Sequence, residues 1–319
     1  MKKKFIILIV CLLCTLAVCG FCACQDSEDD GLTVVCTVFP LYDWTKNIVG
    51  DKDVNVVLLL DSGADLHSYN PSVKDMYEIS KCDLFVYVGG ESDEWVEKVL
   101  PSYPNEKRIS LNLMEVLGDR AREEEEVEGM EPEEEKGEEE VEYDEHIWLS
   151  LKNAAVCCEK IAEKLAAIDA DNADTYTANV ASYKTKLNAL DARYTEATSS
   201  ATVKTLVFAD RFPFLYLVKD YDLTYFAAFK GCSTEVNASF ATIQFLAKKV
   251  NDNSLKNVIV IDGSNQKIAQ SVIRETTNKN QSVLVLDSLQ SIGKTEIDNG
   301  TTYLSVMENN LVVLQQALQ

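Results

Sequence analysis

The chain has 319 residues, of which 46% are hydrophobic, and a formal net charge of −22 at pH 7. This length is sufficient to bury the cores of two ordinary domains. Much of the charge is local, because residues 123–145 contain 15 acidic residues and one lysine, which leaves −8 for the rest of the chain. The acidic balance argues against nucleic-acid binding, which requires a basic surface.

The amino terminus has the pattern of an export signal. Three lysines at positions 2–4 precede an apolar run at 5–18. A run of 14 residues is too short for a stable transmembrane helix, but it suits the central part of a signal peptide. We therefore predict a signal segment over residues 1–24.

Cys24 is the predicted lipid anchor. It follows the small residue Ala23 and precedes a polar run, an arrangement that resembles a bacterial lipoprotein cleavage site. Cys19 and Cys22 are the alternatives. Two acyl chains on one cysteine suffice for stable anchoring. The expected location is the outer face of the bacterial cytoplasmic membrane, with residues 25–32 as a tether.

The remaining cysteines are odd in number and contain no C-x-x-C spacing; they are Cys36, Cys82, Cys157, Cys158 and Cys232. This pattern predicts neither a disulfide framework nor a metal site based on cysteine.

The first block of the chain alternates between strand-like and helix-like segments. Strands are predicted at 33–39, 54–60 and 83–88, and a helix at 71–82. Because the strands are apolar nearly throughout and are joined by helical segments, they indicate a parallel sheet covered on both faces. With the segment that follows, they form a predicted N-terminal lobe over residues 33–150.

The acidic segment 121–143 interrupts this lobe. It has almost no hydrophobic residues and is expected to be a disordered or solvated flap. One alternative is an inert solubilising linker. The other is a flap that raises the local concentration of cations near a binding site.

A long helical region is predicted at 147–199. Its apolar positions recur at intervals of three and four residues; they are Tyr176, Val180, Tyr183, Leu187, Leu190 and Tyr194. This is one stripe on one helix, expected at 172–198 and about 40 Å long. Such a helix can connect two lobes as a strut within residues 151–200.

The second block, residues 201–319, repeats the α/β pattern. Its predicted strands are 205–209, 223–229, 258–261 and 283–286, and its predicted helices are 241–250, 267–278 and 303–318. The expected fold class is therefore α/β, with two parallel-sheet lobes joined by one long rigid helix.

Five polar residues follow the predicted strands or flank the acidic segment. His67 follows a first-lobe strand, and Asp210, Asp262 and Asp287 each end a second-lobe strand. His146, the second of only two histidines, follows the acidic segment. Ligands of open parallel sheets bind beyond the carboxyl ends of the strands. Imidazole and carboxylate groups there suit zinc or manganese, although aspartate in this position also caps helices.

The same residues carry a family resemblance. Residues 63–67 form a G-x-x-x-H loop with Pro71 shortly after it, and residues 144–148 form a D-x-H-x-W motif behind a charged loop. With these motifs in order around the charged loop, and with a long strut helix predicted after them, the chain resembles the substrate-binding lipoproteins of zinc and manganese ABC importers (cluster A-I, the zinc-uptake solute-binding family).

The resemblance implies capture of Zn²⁺, with Mn²⁺ as the alternative, in the cleft between the lobes. The implied ligands are His67 and His146 from the first lobe with Asp210 and Asp287 from the second. It also implies an ABC permease as partner, a monomer, and no enzymatic activity.

One position departs from the family pattern. An ungapped reading anchored on Tyr216 and Tyr221 places Arg211 where the family has a third histidine or a glutamate. Arginine cannot ligate a metal, because it has no free lone pair. Either the adjacent Asp210 reaches the metal, or Arg211 pairs with Glu235 or another acid and water completes the site.

Three other functions stay open at this point. They are a manganese-specific protein of the same family, a surface adhesin or structural lipoprotein without a metal, and a zinc hydrolase. The hydrolase is the weakest of these, because the sequence has no H-E-x-x-H or G-x-S-x-G motif.

Overall fold

The computed structural model describes residues 31–63, 66–131, 142–233 and 237–319. The predicted signal segment with Cys24, the centre of the acidic segment, and Glu235 lie outside these residues. None of the helices in the described ranges is both long and apolar enough to cross a membrane.

The first lobe contains four strands and four helices before the long helical region. The strands are β1 (Leu32–Cys36), β2 (Val54–Leu58), β3 (Leu84–Tyr87) and β4 (Ile109–Asn112). The helices are α1 (Phe39–Val49), α2 (Val73–Lys81), α3 (Glu94–Val99) and α4 (Leu113–Leu117). The strand order is β2-β1-β3-β4, and β3 pairs in parallel with both of its neighbours.

The second lobe follows two long helices, α5 (Leu151–Ile168) and α6 (Ala173–Ser199). Its strands are β5 (Thr205–Phe212), β6 (Thr224–Lys230), β7 (Asn257–Ile261) and β8 (Ser282–Leu286). Its helices are α7 (Leu215–Asp220), α8 (Phe240–Asp252), α9 (Lys267–Glu275), α10 (Lys294–Asp298) and α11 (Tyr303–Ala317). The strand order β6-β5-β7-β8 is parallel and matches that of the first lobe strand for strand.

Helix α6 joins the two lobes. It has 27 residues, about 40 Å at the usual rise, and all six positions of the predicted apolar stripe are buried. Near its start, the Asn179 side chain donates to the carbonyl of Ile48 in α1 over 2.9 Å. Near its end, the Tyr194 hydroxyl donates to the carbonyl of Met307 in α11 over 2.6 Å. The helix therefore packs on both lobes, which confirms the predicted fold class.

Buried hydrogen bonds also join the lobes directly. The Trp148 indole donates to the carbonyl of Ser288 over 2.8 Å, and the Tyr303 hydroxyl donates to the carbonyl of Trp148 over 2.6 Å. Nearby, the backbone N–H of Lys294 donates to the carbonyl of Asp61 over 2.8 Å. These bonds fix the loops of one lobe against those of the other.

The described part of the acidic segment differs from the expected solvated flap. Residues 122–131 pack along the second lobe, where the backbone N–H of Glu131 donates to the carbonyl of Ala228 in β6 over 2.9 Å. Lys249 of α8 forms an ion pair with Glu128 at 3.2 Å. A strand carbonyl and a lysine of the second lobe thus supply partners that the composition of the segment does not reveal.

Asp43 is a buried carboxylate between α1 and α6. The Tyr183 hydroxyl donates to its Oδ2 over 3.3 Å. Burial raises the pKa of Asp43 from 3.8 to about 6, although hydrogen bonds from Tyr303 and Tyr183 offset part of this effect. Between these two values the folded state binds more protons than the unfolded state, so the free energy of unfolding falls as the pH rises.

The variant Asp43→Asn tests this effect. Its side chain carries no charge, so its free energy of unfolding should decrease less than that of the wild type between pH 4 and pH 7. The difference in pH dependence should be on the order of 3 kcal/mol, since each unit of pKa shift corresponds to about 1.4 kcal/mol. Urea unfolding at the two pH values measures it, and an identical pH dependence in both proteins would contradict the prediction.

Candidate metal centre

The two histidines come together between the lobes. His67 lies in a single helical turn, Leu66–Ser68, in the loop after β2, and His146 immediately precedes the turn Ile147–Leu149. Their ring centroids are 5.4 Å apart. The His146 side chain is fully buried, and that of His67 is only 6% exposed. The sequence separates these rings by almost 80 residues, and the fold brings them into contact.

A carboxylate stands behind each imidazole ring. Asp144 Oδ1 lies 3.1 Å from His146 Nδ1 and also accepts from the His146 backbone N–H over 2.8 Å. Glu145 Oε1 lies 3.1 Å from His67 Nδ1, which is also 2.9 Å from the Ser92 hydroxyl. Carboxylates that bond the second nitrogen of metal-binding histidines fix the ring and increase its basicity. A metal ion would therefore bind each ring through Nε2.

The His146 Nε2 atom supports this orientation. It is buried and has no hydrogen-bond partner among the described residues. Polar atoms that are both buried and without a partner are rare, because they lose their hydration without compensation. A metal ion at this position would provide the missing interaction.

The thiol of Cys232 completes a group with the two histidines. Ligand atoms of His67, His146 and Cys232 all lie within 4.8 Å of one another. Cys232 lies in the second lobe, two residues after the end of β6. It is partly buried, and its thiol is 3.7 Å from Glu145 Oε1. The group thus spans the cleft, with two nitrogen donors on one side and one sulfur donor on the other.

Acidic groups dominate the electrostatics of this group. Burial and the carboxylates of Glu145, Glu124 and Asp144 raise the pKa of the Cys232 thiol well above its usual value. Burial alone would lower the pKa of His146, but Asp144 and the neighbouring glutamates raise it. The neighbouring carboxylates thus stabilise a positive charge on His146 and destabilise a negative charge on Cys232. The site is therefore suited to attract a cation.

Asp210 lies in the same cavity as His67 but outside the group of three donor residues. It lines a cavity of about 460 Å³ together with His67 and Arg211. Its Oδ1 accepts from the backbone N–H of Arg211 over 3.0 Å, and its Oδ2 accepts from the Ser264 hydroxyl over 2.5 Å. Among the described residues, no group of metal-ligand spacing contains Asp210. Its role as a ligand stays a prediction.

Asp287 also lies outside the group of described ligand atoms within 4.8 Å. Its Oδ1 accepts from the backbone N–H of Leu289 over 2.8 Å, and its own N–H donates to Asn310 over 2.9 Å. Burial and the neighbouring Asp262 raise its pKa to about 6. Asp262 accepts from the Ser288 hydroxyl and backbone N–H, each over 2.7 Å. Asp262 thus stabilises a loop, whereas the role of Asp287 stays a prediction.

Several residues of this site lie outside the set of predicted ligands. Cys232 was set aside because its spacing along the chain matches no cysteine motif, although it follows a second-lobe strand as the predicted aspartates do. Glu145 was visible within the D-x-H-x-W motif without an assigned role. No pattern in the sequence identifies Ser92, which reaches His67 only through the fold.

The fold and the buried histidine pair define the class of the protein, which is a two-lobed substrate-binding protein. A model of the family described as zinc-uptake complex component A, periplasmic (ZnuA), matches residues 34–317. The chain therefore belongs to this family, and the resemblance drawn from its motifs is confirmed. Members of this family are substrate-binding components of an uptake system. The expectation that the chain is not an enzyme is therefore also confirmed.

Individual relatives agree with this assignment. The zinc-binding lipoprotein AdcA of Streptococcus pneumoniae is 34% identical over 99% of this chain, which spans 61% of that relative. The high-affinity zinc uptake system protein ZnuA of Bacillus subtilis is 31% identical over 100% of this chain and 99% of its own length. The crystal structure of the Zn(II)-bound ZnuA-like domain of Streptococcus pneumoniae AdcA has a TM-score of 0.71 and 31% identity, covering 90% of this chain and 99% of that domain.

The carboxylate behind His146 gives a testable prediction. In Asp144→Asn the ring loses its charged partner, so we expect the affinity for Zn²⁺ to fall by about 10- to 100-fold while the protein stays folded. Competition with a fluorescent zinc chelator measures the affinity. Asp43→Asn, which changes a buried carboxylate outside the site, is the matched control and should bind as the wild type does. Wild-type affinity in Asp144→Asn would show that this carboxylate does not support the ligand.

Proposed function

We propose that this protein captures Zn²⁺ outside the cytoplasm and delivers it to an ABC permease. The buried histidine pair carries the proposal, since His67 and His146 are adjacent and each is bonded through Nδ1 to a carboxylate. Both lie where the two lobes meet, His67 beside the cavity and His146 against Gly231. Neutral imidazole nitrogen is a preferred ligand of zinc. Membership of the zinc-uptake family supports zinc rather than manganese as the cargo.

Capture proceeds in two physical steps in this proposal. The carboxylates Glu124, Asp144 and Glu145 attract the hydrated cation, because like charges lining a cleft focus its electric field. The two imidazoles then replace water in the coordination shell, and a group from the second lobe completes it. Asp210, Asp287 and Cys232 are the candidates for that group.

Release requires the lobes to separate. Helix α6 packs on both lobes, and hydrogen bonds such as that from Trp148 to Ser288 join them directly. We therefore expect a small displacement of the lobes rather than a wide hinge opening when the protein docks on the permease. The protein is proposed to act as a monomer.

Zinc titration tests the proposed function. Isothermal titration calorimetry of residues 25–319 should give one Zn²⁺ per chain. His67→Ala and His146→Ala should each weaken binding by more than about 100-fold, because loss of a direct ligand costs more than loss of an outer partner. Tyr77→Ala, which removes an exposed ring on α2, is the control and should bind normally. Unchanged zinc binding in either histidine variant would refute the site.

The lipid anchor is a separate part of the proposal. Full-length protein expressed in a bacterial host should incorporate labelled palmitate and sediment with membranes, because two acyl chains anchor a protein stably. Cys24→Ala should abolish both the label and the membrane association, whereas Cys82→Ala should retain them. Retention of label in Cys24→Ala would assign the anchor to a different cysteine.

A further inference from the structure

We propose that Cys232 binds the zinc ion as a thiolate and is the ligand that the second lobe contributes. This inference rests on the proposed function and specifies its coordination. The starting observation is the spacing of three donor atoms, from His67, His146 and Cys232, which all lie within 4.8 Å of one another. One tetrahedral zinc ion would hold two nitrogens and one sulfur about 3.3–3.6 Å apart. The spacings therefore need to shorten by at most about 1.5 Å to form the site.

The backbone around Cys232 is built to bring the thiol close to His146. A side chain on Gly231 would place its Cβ 2.9 Å from the Phe212 carbonyl and 3.1 Å from His146 Cε1. Only glycine fits this close approach without displacement of its neighbours. The backbone N–H of Cys232 also donates to Glu124 Oε1 over 3.2 Å. The loop is thus fixed on both sides of the thiol.

A second, independent observation points to a ligand at this position. His146 Nε2 is buried without a hydrogen-bond partner in the described part of the chain. Its other nitrogen is bonded to Asp144. An ion bound between His146 Nε2 and the Cys232 sulfur would give this nitrogen the partner that it lacks.

Cys232 also differs in its surroundings from the other cysteines that the structure describes. Those four thiols are fully buried within the lobes and the helices that join them; they are Cys36, Cys82, Cys157 and Cys158. Cys232 is only partly buried, and its thiol lies near one carboxylate and two imidazoles. Packing explains the four buried thiols and does not explain this one.

Arg211 contacts the loop that carries Cys232. Its guanidinium donates to the carbonyl of Ser233 over 3.4 Å. Ser233 directly follows Cys232, so this contact supports the loop that carries the thiol. The second lobe thus presents Arg211 at the end of β5 and Cys232 after β6. The arginine cannot bind a metal, and the cysteine can.

A thiolate ligand would make the protein selective for zinc over manganese. Soft sulfur donors favour zinc, whereas manganese prefers oxygen donors. When zinc binds, the Cys232 thiol loses its proton to the solvent and the sulfur lone pair forms the bond to the metal, so metal uptake should release a proton.

Three measurements on residues 25–319 test this inference. X-ray absorption of the wild-type protein with one equivalent of zinc should require one sulfur neighbour at about 2.3 Å. The Co²⁺-substituted protein should show a sulfur-to-cobalt charge-transfer band in the near ultraviolet. Cys232→Ser should lose the band and should bind Zn²⁺ at least about tenfold more weakly, with a smaller loss for Mn²⁺. Cys82→Ala, the control, should keep the band.

The outcomes separate this inference from the proposed function. A zinc ion bound with nitrogen and oxygen neighbours only would overturn the role of Cys232 and leave zinc capture intact. A charge-transfer band that persists in Cys232→Ser would have the same meaning. A wild-type protein that binds no zinc would overturn both. The X-ray absorption measurement does not depend on the stability of any variant.

Discussion

The candidate site depends on two adjacent carboxylates, Asp144 and Glu145, that point to two different imidazoles. Asp144 bonds the histidine two residues later, and Glu145 bonds a histidine from a distant loop. Buried charges are stable only when they are paired and hydrogen-bonded. Burial would raise the pKa of Glu145, but the contact with His67 holds it below its usual value. The same pairing therefore stabilises the fold and sets the direction in which each ring presents its nitrogen.

The surrounding structure keeps this arrangement at the junction of the lobes. The turn that follows His146 contains Trp148, whose indole bonds the second lobe at Ser288. On the other side, Gly231 lets the β6 loop contact the His146 ring. Helix α6 packs on both lobes and limits how far they can separate. In the proposed site both lobes contribute ligands, so we expect metal binding and lobe closure to be coupled, each stabilising the other.

The sequence predicted the parts of this protein that follow local patterns. The stripe on α6 repeats with the period of a helix, most of the parallel strands are continuous apolar runs, and the two histidines lie in recognisable motifs. Helix α1 and strand β4 were not predicted. Helix α1 begins with Phe39 and Pro40 inside an apolar run, and β4 has only two apolar residues, Ile109 and Leu111, among its four. Cys232 was missed for a different reason. Its partners are more than 80 residues away in the chain, and only the fold shows that they meet.

The central claim is that one zinc ion binds between the lobes on the two histidines. Crystals of residues 25–319 grown with one equivalent of zinc, with anomalous diffraction measured on both sides of the zinc absorption edge, test this most directly. We expect a single strong anomalous peak about 2.0–2.1 Å from Nε2 of both His67 and His146. A peak that contacts neither histidine, with the cleft between the lobes free of anomalous density, would contradict it.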